Sequence, residues 1–143
     1  MDAHDVIDIL NELLAREQGQ LAVRLAESTM FVSPQSVDEH LLVQRMTTDS
    51  LEHCKRLVAA ITEFGGSPAH RPGHVDSADL HFQELHHVIP RLLVDHESLI
   101  QTYRRAAQRL AVEPRAAEVV GNILARHQAD LDALRQLRPA PPE

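Results

Sequence analysis

Along almost its whole length the chain places apolar residues three and four positions apart, and it shows no convincing alternation of period two. That rhythm restricts it to helices, each carrying an apolar stripe that must be buried against another helix. Proline and glycine divide the rhythm into four. The first predicted helix runs from about Asp5 to about Met30, and "FVSPQS" then turns the chain, with Ser33-Pro34 closing one helix and opening the next. Ser36 and Glu39 have capping-box spacing at the head of the second helix, which reaches about Phe64 before "FGGSP" stops it. The stretch "SPAHRPGHVDSADLHFQELHHVIP", residues 67–90, starts irregular and becomes helical after Asp76 or Ser77, and Pro90 is expected to kink or start the helix that follows. The third helix extends to about Leu110, "VEP" makes a tight turn, and Pro114 opens a fourth helix that ends near Leu137.

Short links within each pair of helices and a long link between the pairs define the architecture. The expectation is an all-α, antiparallel four-helix bundle of two helical hairpins joined by a long crossover. The 143 residues suffice for one domain with a real core. The bundle is expected over residues 1–138, with a flexible tail at 139–143.

A seam drawn along each helix is mostly apolar but interrupted near its middle. The first seam (Ile7, Leu10, Leu14, Glu17, Leu21, Leu25, Ser28) carries Glu17, and the second carries Ser50 and His53 between Met46 and Leu57. The third carries His96 between Leu92 and Leu99, and the fourth carries His127 and Asp130 between Ile123 and Leu134. Glu17 and His53 stand at similar distances from the turn at Ser33-Pro34, as do His96 and His127 from the turn at Val112-Glu113. Antiparallel helices therefore bring all of them to one level. Buried charges need partners, and two carboxylates with three imidazoles suit iron, zinc, manganese or copper. The metal-free reading is a hydrogen-bond network of His–Asp and His–Glu pairs.

The remaining composition narrows the function. A net charge of −7 disfavours a general nucleic-acid binder. No apolar run approaches the roughly 20 residues that span a bilayer, so no membrane partner is expected. The start "MDAHDVIDIL" lacks a basic region followed by an apolar stretch, and the single Cys54 excludes an internal disulfide; a cytoplasmic protein is the expectation. Aromatic residues are only 3%, whereas histidines number ten. Of these, His70, His74, His81, His86 and His87 lie in the crossover region and are read as solvated, helix-capping or core-edge residues, with a second surface metal site as the alternative. Asp49, Glu52, Asp95 and Glu97 flank the proposed ligands and are read as surface charges, with Glu52 and Glu97 as second-choice ligands. Tyr103 is read as core, its hydroxyl reaching toward the layer, and Cys54 as a small buried residue beside it. The run "REQGQ" is read as solvent-facing apart from Glu17. Leu13, Leu42, Val58 and Leu93, apolar and off the main seam, point to a dimer or to a wide core.

With those residues in place, the chain resembles the ferritin-like superfamily, on its bacterioferritin and rubrerythrin side. "LNELLAREQGQLAVRL" is similar to the first helix of a bacterioferritin, with Glu17 at a metal-binding glutamate. "LEHCKRLVAAITEFGGSP" is similar to the second, with His53 at the histidine of Glu-x-x-His. His96 in "LLVDHESLIQTYRRA" takes the place of the third helix's glutamate, and His127 with Asp130 in "LARHQADL" matches the second Glu-x-x-His. The resemblance implies a metal centre of Glu17, His53, His96, His127 and Asp130, with Ser50 replacing a glutamate. The family's four glutamates and two histidines hold two irons. Three histidines with one or two carboxylates suit a single transition metal ion better, iron first, then zinc or manganese. Leu51 stands at the family's haem-ligand place, so no haem is expected, and neither is a large iron-storing shell.

The function expected is metal binding at a non-standard, histidine-rich centre, serving redox work on a small oxidant or metal handling. A homodimer is the expected assembly. The rival is a non-enzymatic bundle whose polar layer has lost its metal and serves assembly or interaction. A hemerythrin-like oxygen carrier is a weaker third reading, because paired His-x-x-x-Glu and His-x-x-x-His motifs are missing from the seams.

Overall fold

A computed structural model describes residues 1–26, 36–69 and 85–137, without the side chain of His86. Its helices are α1 (Ala3–Gln18), α2 (Leu21–Ala26), α3 (Val37–Glu63), α4 (Leu85–Arg109) and α5 (Pro114–Gln136), and no strand occurs among the described residues. The chain is an all-α bundle in which α1 and α2 pack on α3 and α4 packs on α5, as the two-hairpin reading requires. Residues 27–35, which include most of the expected turn "FVSPQS", the crossover residues His70, His74 and His81, and residues from 138 onward lie outside the described residues; His87 is exposed.

The first predicted helix is two. Glycine is a poor helix former, and α1 closes at Gly19, whose N–H donates to Ala15 O at 3.1 Å while the Gln20 N–H donates to Glu17 O at 3.5 Å. The restart at Leu21 would leave a backbone N–H without a partner. Asp95 of α4 supplies one: its Oδ2 accepts the Leu21 N–H at 2.8 Å, while its Oδ1 accepts from Arg16 at 3.0 Å. A carboxylate at a helix start also meets the positive end of the helix dipole. Asp95 is therefore a half-buried brace rather than a solvated charge.

Other boundaries follow local chemistry. Asp2 caps α1 by accepting the Asp5 N–H at 2.9 Å. Ser36 stands at the N-cap of α3 without the side-chain cap hydrogen bond of a capping box. At the other end Gly65 adopts φ +86°, and the N–H groups of Gly65 and Gly66 close on Thr62 O and Ile61 O, both at 2.9 Å. This pattern satisfies the last carbonyls of the helix. Gly66 has a second duty, because a Cβ there would stand 2.7 Å from Ile7 Cγ2. Asn11 ties the following segment to α1, accepting the Ala69 N–H at 2.8 Å and donating to Ser67 O at 3.2 Å. Pro90 lies inside α4 rather than at its start.

The core is divided in two. One apolar cluster contains Leu10, Leu14, Leu57, Leu99, Tyr103 and Ile123. The other contains Leu21, Met46, Leu92, Leu131 and Leu134. Each such side chain stabilises the fold by about 1.5–3 kcal/mol on burial. Leu13, Leu42 and Leu93 are buried as well, which decides for the wide core, and Val58 packs against the first cluster. No described helix is long and apolar enough to cross a membrane.

Candidate metal centre

The two clusters part at the level where the seams turn polar. Glu17 comes from the last turn of α1, Ser50 and His53 from α3 one turn apart, His96 and Tyr103 from α4, and His127 and Asp130 from α5 one turn apart. The five residues singled out by the sequence, Glu17, His53, His96, His127 and Asp130, are each at most 5% exposed. The structure brings them into one layer.

Glu17 is the centre of that layer. Its Oε1 accepts from the Tyr103 hydroxyl at 2.6 Å and from His127 Nε2 at 2.7 Å. Its Oε2 accepts from the Ser50 hydroxyl at 2.7 Å and from the Gln20 amide. Gln20 also donates to Ser50 Oγ at 3.1 Å. Four donors fill the lone-pair sites of one carboxylate. Burial alone would raise the Glu17 pKa, but the hydrogen bond from His127, the nearby His53 ring, attraction to His127 and the hydrogen bond from the Tyr103 hydroxyl outweigh it. The carboxyl is held well below the usual carboxylate range. Burial and then the Glu17 charge push the Tyr103 hydroxyl well above its ordinary value. The same two causes push the Cys54 thiol up to about 11, so it stays a neutral thiol beside the layer.

The imidazoles are less well provided for. His127 is their hub: its ring centroid lies 4.8 Å from that of His53 and 5.1 Å from that of His96, both edge-on. His127 donates Nε2–H to Glu17, and His96 donates Nε2–H to the His127 carbonyl at 2.9 Å. Each acceptor fixes the proton on Nε2 and leaves a lone pair on Nδ1. Yet Nδ1 of His53, His96 and His127 is buried without a hydrogen-bond partner. Metal-binding histidines show this habit, one nitrogen on a carboxylate or carbonyl and the other turned to the ion. His53 Nδ1 lies 3.6 Å from Glu17 Oε1, beyond a hydrogen bond. That separation suits two ligands of one ion at bond lengths of about 2.0–2.2 Å. One ligand atom from each of Glu17, His53 and His127 lies within 4.8 Å of the others, and so does one from each of His96, His127 and Asp130. The donor sets fit a transition metal, since each is two imidazoles and a carboxylate.

Asp130 is set apart from the other four. Its Oδ1 accepts from Arg45 at 2.8 Å and lies 3.8 Å from Arg126 Nε, which is itself bonded to Asp49 at 2.8 Å. Asp130 thus ends a charged chain running from the α3–α5 surface into the layer. Asp49, read from the sequence as a solvated charge, is half-buried within it. Glu52 and Glu97 stay on the surface, paired with Arg56 and Arg135, and do not enter the layer. The residue most plainly missed is Gln20, read as solvent-facing but 1% exposed, because the break at Gly19 turns it inward.

Helix order, hairpin pairing and a polar layer at mid-bundle together define a ferritin-like four-helix bundle fold. The chain is similar to the bacterioferritin of Desulfovibrio desulfuricans, in an X-ray structure describing that protein's diiron site in different catalytic states, with a TM-score of 0.71 at 19% identity over 95% of this chain and 79% of that one. No protein-family model and no curated protein matches the sequence.

Proposed function

We propose that the protein binds a single transition metal ion in the polar layer, through Glu17, His53 and His127, with His96 beside them. The observation that carries this is the set of three buried Nδ1 atoms without partners in a layer that also holds the ionised Glu17 carboxylate. An imidazole lone pair left alone in a dry core costs free energy that an ion would recover. Iron is the first candidate, because the ligands suit it and the similar bacterioferritin has a diiron site. Zinc and manganese are the next. The ion would supply redox chemistry toward a small oxidant, or the protein would hold and hand on the metal. Tyr103 and Ser50 would orient Glu17, and Gln20 would shield its far oxygen from water.

A rival reading draws on a specific observation, the saturation of Glu17 by four donors. Here the layer is a finished ion-pair network that serves assembly. Val37, Leu41 and Leu51 are exposed along one face of α3 and offer an apolar surface for the homodimer proposed under either reading. The location proposed is cytoplasmic.

Elemental analysis of tag-free protein purified without chelator decides between the two, alongside the His127→Ala variant. The expected result is about one equivalent of metal per chain, lost in the variant, with a higher unfolding temperature in the loaded form. No uptake of iron, zinc or manganese by the native protein would leave the metal-free network.

A further inference from the structure

Two overlapping ligand groups share His127, and among the described ion pairs only one of them is faced by arginines. Glu17, His53 and His127 form the first group, and no arginine contacts are made to Glu17 or to the two histidines among the described hydrogen bonds and ion pairs. His96, His127 and Asp130 form the second, and there Arg45 and Arg126 face the carboxylate. We infer that Arg45 and Arg126 fix the number of metal ions the layer accepts, by occupying Asp130 and placing positive charge where a second ion would sit. This rests on the metal-binding reading and sharpens it.

The geometry sets out how. Asp130 is 1% exposed, and a buried carboxylate is stabilised by a counter-charge. Arg45 provides it through a direct 2.8 Å bond, and Arg126, anchored on Asp49, adds a second cation 3.8 Å away. Both guanidiniums reach in from solvent, with Arg45 47% and Arg126 41% exposed. They are therefore attached to the layer from outside rather than built into the core. The rest of the second group is ready for an ion: His96 Nδ1 and His127 Nδ1 are buried and have no partner. His127 has one free lone pair and can give it to one ion only, so with two ions present it would serve the second, while Glu17 and His53, 3.6 Å apart, would keep the first. A divalent cation would do for Asp130 what the arginines do, and would add the two imidazoles. Withdrawing the arginines leaves an uncompensated carboxylate next to free lone pairs, a strong demand for a cation. Arg126 also starts one turn before Asp130 on the same helix, so its position is fixed relative to its partner.

Cobalt(II) titration of the chelator-treated protein tests this, with stoichiometry from elemental analysis and coordination from the visible absorption of the bound ion. Wild type is expected to take about one equivalent, Arg45→Gln/Arg126→Gln about two, and the same variant carrying Asp130→Asn about one again, as each buried carboxylate left free holds one ion. Arg45→Lys, which keeps the charge, should stay near the wild-type value. One equivalent in both wild type and the Arg45→Gln/Arg126→Gln variant would overturn the inference and leave the metal-binding reading standing. Two equivalents in the wild type would overturn it as well. No uptake by any of them would remove the reading on which it rests. Circular dichroism checks the fold of each variant, and Arg45→Gln alone, a change at a half-exposed position, carries the test if the double variant does not fold.

Discussion

His96 gives the metal-free protein a pH dependence whose sign and size follow from its setting. The ring is 1% exposed between the two apolar clusters. Burial first, and repulsion from His127 second, lower its pKa from 6.5 to about 4. In the unfolded chain the same ring takes a proton near its ordinary value. Between those two values the unfolded state binds more protons than the folded state, so stability falls as the pH is lowered. The contribution is fully present above about pH 6.5, declines on the way to about pH 4, and changes no further below it. At pH 4.5 the loss from this one ring is about 2–3 kcal/mol relative to pH 8. The assay is urea unfolding in chelator, followed by helical circular dichroism, at both pH values. His96→Gln is the control, since its amide can still donate to the His127 carbonyl but takes no proton. Wild type should lose about 2–3 kcal/mol more than His96→Gln between the two pH values. Equal losses would show that the ring is not held neutral by burial, and the account of the layer as dry would fail.

Two further effects concern the groups around Glu17. Tyr103→Phe removes one of four donors to the buried carboxylate and should cost about 1.5–3 kcal/mol in urea unfolding, the range for hydrogen bonds to charged groups; an unchanged midpoint would contradict the 2.6 Å contact. Asp95→Ala should cost about 1–2 kcal/mol, like the loss of a helix cap, and should speed hydrogen exchange at the Leu21 amide that it covers.

Much of the bundle could be read from spacing because seam residues obey a simple geometric rule. Glu17, His53, His96 and His127 fall on apolar stripes, and counting from the turns places them at one depth; burial and distance agree. Tyr103 was legible for the same reason, two turns along the seam from His96. What escaped depends on local breaks and on long side chains. Gln20 lies beside the seam of a continuous helix, and only the interruption at Gly19 swings it inward. The signal available was a glycine within a helical pattern. Asp95 looked like surface because its backbone partner, the Leu21 N–H, is freed only by that interruption. Arg126 stands one turn before Asp130, a spacing that announces an ion pair. Arg45 gives no such sign, because it reaches Asp130 across two helices distant in sequence.

The polar layer also polices how the helices line up. A uniformly apolar bundle tolerates sliding, since one leucine can take another's place. Here a shift of one turn, about 5.4 Å, would carry Glu17, His53, His96 or His127 out of reach of its counterparts and into hydrocarbon on one side or the other. Four helices that each bring an ionisable group to a common plane have only one alignment in which all of those groups meet, with or without an ion among them.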